Sequence, residues 1–214
     1  MDNNKETGSY YTPYNLIDFM NRYLQKNNQS FVNVLEPSAG DGRFLSVLLQ
    51  QSDKVKAIEL FEEKVTDISW RYKNSNLIVE KKNFLDFAGE TKEKYSLIIG
   101  NPPYINPKVM GKDDIEKAKH LCEMEGIDTS IMQNMWAAFV VGASRILLQG
   151  GTIFFVLPME FLQVQYAEKL RAHLEEKFNT IHIISFQEAI FTDIEQEVCL
   201  VYLSNRLQEE PHIL

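Results

Sequence analysis

Residues 31–51 read FVNVLEPSAGDGRFLSVLLQQ, and this stretch indicates the architecture of the whole chain. Residues 31–36 form an apolar run of strand length, whereas residues 43–51 carry apolar side chains at helical spacing. The turn between them contains Gly40 and Gly42, and glycine lets the backbone bend sharply and approach a ligand closely. A strand, a glycine turn and a helix in this order predict the first unit of a parallel α/β sheet.

The same alternation continues on both sides of this stretch. A helix near the N-terminus should be capped by Thr12 and started by Pro13. We predict further helices at residues 62–72, 131–148 and 162–178. We predict further strands at residues 54–59, 76–80, 95–99, 152–157, 181–186 and 198–203.

Three local features complete the prediction of a doubly wound, mostly parallel sheet with an antiparallel C-terminal strand. The link between the last two strands is too short for a crossover helix, so these strands should pair antiparallel. Gly150 and Gly151 should end the helix that precedes the strand at residues 152–157. The polar residues 108–129 should form an irregular, mobile loop beside the site.

Composition limits the class of protein. A chain of 214 residues that is 44% hydrophobic and 24% charged predicts one globular domain, with a helical segment at residues 1–28 and the sheet unit at residues 31–204. No apolar run has the length of a membrane span, and the N-terminus lacks a signal-peptide core, which predicts a cytoplasmic protein without a membrane partner. The two cysteines and four histidines are scattered, so we expect no metal site. The net charge of -8 means that tight binding to a nucleic acid needs a local patch, another domain or a partner.

Polar residues stand at three consecutive strand ends. The turn from Glu36 to Gly42 follows the first strand, Glu59 ends the second, and Asn83 and Phe84 follow the third. Ligands of doubly wound sheets bind at the carboxyl ends of the strands. A carboxylate at Glu59 can accept both hydroxyls of a ribose, and Asn83 and Phe84 offer polar atoms and an aromatic face for adenine. Each feature alone has an ordinary structural explanation, but the three together favour a nucleoside-type ligand. The turn is not a Gly-x-x-x-x-Gly-Lys loop, which argues against a triphosphate.

The tetrapeptide Asn101-Pro102-Pro103-Tyr104 directly follows the fourth strand. From average residue usage, it would occur by chance in about one in a thousand chains of this length. Two prolines fix the backbone and supply no amide donor, so the segment should be a rigid shelf. The side-chain oxygen of Asn101 and the carbonyl of Pro102 can then accept both hydrogens of an amino group, and Tyr104 can stack on a flat base.

These motifs resemble those of the gamma-order amino-methyltransferases that act on adenine in DNA, mostly in restriction–modification systems. The resemblance runs from about Gly8 to Leu203 and implies a Rossmann-like fold with S-adenosylmethionine as cofactor. It implies that the substrate is a flipped-out adenine in DNA, since an asparagine opens the tetrapeptide where a serine would suggest cytosine. It also implies catalytic roles for Asn101, Pro102 and Tyr104, and base contacts by Tyr104 and Phe191. The cofactor-binding residues that it implies are Tyr11, Thr12, Glu36, Pro37, Ser38, Gly40, Gly42, Glu59, Leu60, Asn83, Phe84, Asn101 and Phe139.

The chain departs from the family pattern in two places. The family usually has Asp-Phe where this chain has Asn83-Phe84, so either the Asn83 oxygen or Asp86 takes the acidic role. Family members carry a target-recognition domain after the last strand or borrow a specificity subunit, and the segment after Leu203 is too short for one. We therefore expect a recognition domain or subunit as a partner. Phe139 is equally well explained as a core aromatic residue.

Other functions remain open at the level of the sequence. Enzymes that methylate a glutamine side-chain amide in a protein use a similar Asn-Pro-Pro-Tyr shelf, and RNA adenine methyltransferases resemble this chain on the same grounds. A non-catalytic subunit that retains the cofactor fold is a third alternative.

Overall fold

The computed structural model describes residues 11–26, 31–73, 75–186 and 197–206. Within these residues, two short 3-10 turns lie at Thr129–Ile131 and Gln165–Ala167. The strands are β1 (Phe31–Glu36), β2 (Ser52–Glu59), β3 (Leu77–Lys81), β4 (Tyr95–Gly100), β5 (Leu147–Pro158), β6 (Thr180–Ile184) and β7 (Val198–Ser204). The helices are α1 (Tyr14–Lys26), α2 (Leu45–Leu48), α3 (Glu62–Arg71), α4 (Phe84–Glu90), α5 (Lys112–Met124), α6 (Met135–Ile146), α7 (Glu160–Gln163) and α8 (Glu168–Lys177).

The strands form one seven-stranded sheet in the order β3-β2-β1-β4-β5-β7-β6. Strands β1 to β5 pair parallel, while β7 pairs antiparallel with both β5 and β6. This confirms the predicted doubly wound α/β fold of Rossmann-like type and the antiparallel pairing of the last two strands. The chain runs outward from β1 to β3 and then returns to β4 on the other side of β1. The carboxyl ends of β1 and β4 therefore flank the switch point where such folds bind ligands.

Apolar residues cover both faces of the sheet. Because strand side chains alternate between faces, Ile98 of β4 joins the core under α4 to α6, whereas Leu97 and Ile99 join the core under α1 to α3. Helix α6 is buried almost all round, as expected for a helix covered by its neighbours. Gly142 in α6 allows this packing, because a Cβ atom there would lie 3.0 Å from Phe84 of α4. No described helix has both the length and the apolar character needed to span a lipid bilayer.

The prediction that residues 108–129 form an irregular loop was wrong. Helix α5 occupies Lys112–Met124, and its buried residues are Ala118, Leu121 and Cys122. These three positions lie on one helical face at spacings of three and four residues. The charged residues between them mask this narrow stripe in the sequence.

Three further helices differ in extent from the predictions. Helix α6 ends at Ile146, before Gly150 and Gly151, and β5 begins at Leu147. Gly150 has φ 76°, and the register between β4 and β5 shifts beside it, so these glycines permit an irregularity in the strand and do not end the helix. The helix predicted at residues 162–178 breaks at Val164, where Arg171 donates to the carbonyls of Phe161 and Val164. The helix predicted at residues 43–51 is limited to α2.

Candidate active site

A cavity of about 280 Å³ opens at the carboxyl ends of the parallel strands. Most of the predicted cofactor residues line this one cavity, although they come from distant parts of the chain. They are Tyr11, Pro37, Ser38, Gly40, Glu59, Leu60, Asn83, Phe84, Asn101 and Phe139. Gly40 of the glycine turn and Asn101 and Pro103 of the Asn-Pro-Pro-Tyr shelf therefore line one cavity, whereas Tyr104 does not line it.

Glu59 ties the end of β2 to the glycine turn. Its Oε2 accepts the Gly40 N–H at 2.8 Å, and its Oε1 accepts the N–H groups of Leu60 and Phe61, both at 2.9 Å. The side chain is buried, so these three amides hold its position firmly. A carboxylate has about four acceptor positions, so this arrangement is compatible with one further donor from a ligand.

The segment around Tyr11 and Thr12 lies over the glycine turn. Arg43 holds it there, because one guanidinium nitrogen donates to the Thr12 carbonyl at 3.2 Å and another to Asp41 Oδ2 at 2.7 Å. The guanidinium also lies 5.2 Å from the centre of the Tyr11 ring. Thr12 itself is buried and does not line the cavity. Sequence reasoning missed Arg43, since no motif marks a contact between residues so far apart in the chain.

Gly42 also lies outside the cavity lining. Its φ of 75° falls in the left-handed region that favours glycine. A Cβ atom at this position would lie 3.2 Å from Ile68 Cγ1 and 3.3 Å from Leu45 Cδ1. Gly42 therefore lets the glycine turn pack closely against α2 and α3, and this packing holds the turn in place beside the cavity.

Glu36, the third predicted cofactor residue outside the lining, is fully buried at the end of β1. Within the described part of the chain, its Oε2 has no hydrogen-bond partner. Burial raises the pKa of Glu36 well above its usual value, and the nearby carboxylates of Asp41 and Glu59 raise it further. A buried carboxylate with an unsatisfied oxygen, next to two other acidic groups, favours a positively charged ligand group nearby.

Asn101 and Tyr104 form a hydrogen-bonded pair at the end of β4. The Tyr104 hydroxyl donates to Asn101 Oδ1 at 2.8 Å and lies 3.0 Å from the Val156 carbonyl. Burial raises the pKa of Tyr104 well above its usual value, so the hydroxyl keeps its proton and remains a donor. The Asn101 carbonyl accepts the Ser38 hydroxyl at 3.2 Å, which connects the shelf to the glycine turn. Pro102 is buried and does not line the cavity.

Two aromatic rings form an apolar wall at the other end of the cavity. Phe84 and Phe139 have ring centres 4.6 Å apart with planes inclined by 32°, and both line the cavity. The side chain of Asn83 caps α4, because its Oδ1 accepts the Leu85 N–H at 2.8 Å. Asp86, the alternative acidic residue, pairs instead with Lys117 at 2.8 Å and does not line the cavity.

Sequence reasoning missed several of the residues that line the cavity. One predicted site residue, Phe191, lies outside the described residues. Asp114 of α5 lines the cavity, but the sequence offered no signal for it because that region was interpreted as a loop. The other lining residues that carry no motif include Phe61, Lys64, Ile105, Met110 and Met135.

Known proteins share both the sequence pattern and this fold. A model of the Eco57I restriction-modification methylases matches residues 13–191, well over half of the chain. The chain belongs to the Eco57I restriction-modification methylase family.

Two relatives illustrate the extent of the similarity. The Type II methyltransferase M.AccI of Acinetobacter calcoaceticus is 26% identical over 215 residues, which cover 96% of this chain and 38% of M.AccI. M.HincII of Haemophilus influenzae is also 26% identical, over 94% of this chain and 38% of the relative. This Eco57I-family chain thus spans less than two fifths of the length of either protein.

Solved structures show the same fold at low sequence identity. A putative class I S-adenosylmethionine-dependent methyltransferase from Listeria monocytogenes superposes with a TM-score of 0.74 at 17% identity, over 97% of this chain and 64% of that one. The type IIG restriction endonuclease BpuSI superposes with a TM-score of 0.73 at 17% identity, over 94% of this chain and 26% of that one. The Eco57I-family chain therefore matches one part of a larger enzyme in the second case.

Proposed function

We propose that this chain is the catalytic domain of a DNA methyltransferase that transfers a methyl group from S-adenosylmethionine to the exocyclic amino group of a flipped-out adenine. The observation that carries the proposal is that Asn101, which opens the proline shelf, lines the same cavity as the nucleoside-type residues Gly40 and Glu59. Membership of the Eco57I family supports it. The names of the relatives M.AccI and M.HincII, both Type II methyltransferases, agree with it.

The residues present fit S-adenosylmethionine. Glu59 suits a ribose hydroxyl, and the rings of Phe84 and Phe139 suit the adenine. The buried acidic group at Glu36 lies outside the lining, directly before the lining residue Pro37, and suits a positively charged group of the cofactor. When bound, the cofactor supplies an electrophilic methyl group on a sulfonium, so the enzyme needs chiefly to align the acceptor.

The shelf residues prepare the amino group for attack. The nitrogen of adenine's amino group is a weak nucleophile, because its lone pair is delocalised into the ring. Asn101 Oδ1 and the Pro102 carbonyl accept the two N–H hydrogens and direct the lone pair towards the cavity. An amide oxygen offers two lone pairs, so the hydrogen bond from Tyr104 is compatible with a second one from the substrate.

The proposal is tested by incubating the protein with labelled S-adenosylmethionine and duplex DNA of mixed sequence. Duplexes with a mispaired adenine are included, because an unpaired base costs less energy to flip. Mass spectrometry of the digested nucleosides then identifies the methylated atom, and RNA and protein substrates run in parallel. Methylation of adenine's amino group in DNA supports the proposal. Methylation of RNA or of a glutamine side chain alone contradicts it.

We assign recognition of the DNA sequence to a part of the protein, or to a partner subunit, that this chain does not include. The chain carries a net charge of -8, whereas proteins that grip DNA alone present a basic surface to the phosphates. The chain also spans only 38% of M.AccI, which leaves room in that protein for further domains.

Replacing Glu59 with alanine should weaken the binding of S-adenosylmethionine by about tenfold to a hundredfold. The variant loses the proposed acceptor for the ribose and leaves the backbone N–H groups of Gly40, Leu60 and Phe61 without their partner. Isothermal titration calorimetry measures the affinity. Glu62→Ala, on the exposed start of α3, is the control and should bind normally. An unchanged dissociation constant in Glu59→Ala contradicts the ribose assignment.

Binding of S-adenosylmethionine should release a proton from Glu36 and strengthen as the pH rises. Burial raises the pKa of this carboxyl in the free protein, and a positively charged ligand group favours its ionised form. Affinity should therefore increase up to the pKa of the free protein and fall at lower pH, where the carboxyl keeps its proton. Calorimetry in two buffers of different ionisation enthalpy measures the released proton. The release should disappear in Glu36→Gln, and equal release by both proteins contradicts the assignment.

A further inference from the structure

The end of the cavity at Phe84 and Phe139, which we assign to the cofactor's adenine, has an acidic residue that the sequence motifs do not include. Two acidic residues of the described chain line the cavity, Glu59 at the glycine turn and Asp114 in the first turn of α5. Asp114 lies beside Asn83, whose Nδ2 donates to Asp114 Oδ1 at 2.7 Å. Among the described residues, the carboxylate at this end of the cavity therefore belongs to α5 and not to the segment after β3.

The orientation of Asn83 is fixed from both sides. Its Oδ1 accepts the Leu85 N–H at the start of α4, and its Nδ2 points to Asp114. The amide oxygen is thus directed to the backbone of α4, and the amide hydrogens are directed to the carboxylate. Asn83 serves here to position the Asp114 side chain, and the charged carboxylate of Asp114 is a stronger acceptor for a ligand's amino group than the Asn83 oxygen, which already binds the Leu85 N–H.

The second oxygen of Asp114 is the acceptor that this geometry offers. Asp114 Oδ2 lies 3.8 Å from the position of a Cβ atom built on Gly111, which also lines the cavity. Among the described residues, no lysine or arginine forms an ion pair with Asp114, whereas its neighbour Asp113 pairs with Lys117 at 2.6 Å. Lys82, which also lines the cavity, pairs with Glu90. The carboxylate of Asp114 is therefore available to a hydrogen-bond donor of a ligand.

We propose that Asp114, positioned by Asn83, accepts a hydrogen bond from the exocyclic amino group of the cofactor's adenine and thereby selects adenine over other purines. This inference rests on the proposed function, since it takes an adenosine-containing cofactor to occupy the cavity. An amino group donates hydrogen bonds, whereas the carbonyl oxygen of hypoxanthine at the same ring position only accepts them. A carboxylate at Asp114 attracts the first group and repels the second.

The test compares two ligands that carry an amino group or a carbonyl oxygen at this ring position, the second ligand also carrying a hydrogen on the neighbouring ring nitrogen. The probes are S-adenosylhomocysteine and its inosine analogue, and calorimetry gives both dissociation constants for each protein. The unmodified protein should prefer the adenosine compound by about a hundredfold, since a site built to accept a hydrogen bond rejects a ligand that lacks the donor. In Asp114→Asn the preference should fall by about tenfold or more, because the new amide can donate to the inosine carbonyl. The matched control, Asp113→Asn in the same helical turn, should keep the full preference.

The outcomes separate this inference from the function on which it rests. Equal preference in Asp114→Asn and Asp113→Asn overturns the role of Asp114. Equal weakening of both ligands in Asp114→Asn also overturns it, since that pattern reports a structural change and no selectivity. Asp114→Ala, monitored by thermal unfolding, provides a second variant if Asp114→Asn does not fold. Failure of the unmodified protein to bind either ligand contradicts the cofactor assignment itself.

Discussion

Replacing Asn101 with alanine should reduce methyl transfer to DNA by about 10²- to 10³-fold, with little change in cofactor affinity. The loss of a single aligned hydrogen-bonding group that acts on the reacting atoms typically costs this much in kcat. Alanine removes the oxygen that we propose accepts a hydrogen of the target amino group, while the Pro102 carbonyl remains. The backbone carbonyl of residue 101, which accepts the Ser38 hydroxyl, also remains, so the shelf should stay attached to the turn. Single-turnover kinetics and calorimetry measure the two effects separately.

Two controls make the Asn101 result specific. Asn101→Asp keeps an oxygen that can accept from both Tyr104 and the substrate, so it should retain more activity than the alanine variant. Asn179→Ala removes an amide that follows α8 and does not line the cavity, so this variant should behave as the unmodified protein does. Full turnover of adenine in DNA by Asn101→Ala would contradict the proposed mechanism. If the affinity for the cofactor fell by the same factor as the rate of methyl transfer, Asn101 would act only in binding the cofactor.

The fold was predictable because each parallel strand is a short apolar run and the segments between strands are amphipathic. Residues 31–51 already contain the strand, the glycine turn and the start of the helix. The switch point beside β1 follows from the strand order, so the sequence also located the cavity at the Gly40 turn and the Asn101 shelf. Helix α5 escaped prediction because its buried stripe has only three residues among many charges.

The contacts within the site were less predictable, because they depend on residues far apart in the chain. Asn83 and Asp114 are separated by 31 positions, and their pairing requires α5 to pack beside α4. The sequence indicated a carboxylate at Glu59 for a ribose, yet its bonds to three backbone amides follow from the turn geometry alone. Likewise, the motif suggested that Tyr104 stacks on a base, and only the structure shows its hydroxyl on Asn101.

Replacing Tyr104 with alanine should lower transfer by about 10²-fold or more, whereas phenylalanine should lower it by only about 2- to 10-fold. The ring and the hydroxyl have separate roles in this proposal. Stacking of an aromatic ring on an unpaired base contributes about 1–3 kcal/mol, and alanine removes it. The hydroxyl contributes about one neutral hydrogen bond to the position of Asn101 Oδ1, and phenylalanine removes this bond and the contact with the Val156 carbonyl while keeping the ring.

The two variants distinguish stacking from positioning by the parameter that each one changes. Tyr104→Ala should raise the KM for DNA as well as lower kcat, because a flipped base without its stacking partner binds less well. Tyr104→Phe should lower kcat with little change in KM, because Asn101 then holds its oxygen less firmly while the ring remains. Thermal unfolding of both variants measures how much stability is lost with the packing of Tyr104, because its ring contacts the apolar layers on both faces of the sheet. If phenylalanine costs as much as alanine, the hydroxyl carries the effect and stacking by Tyr104 has no part in catalysis.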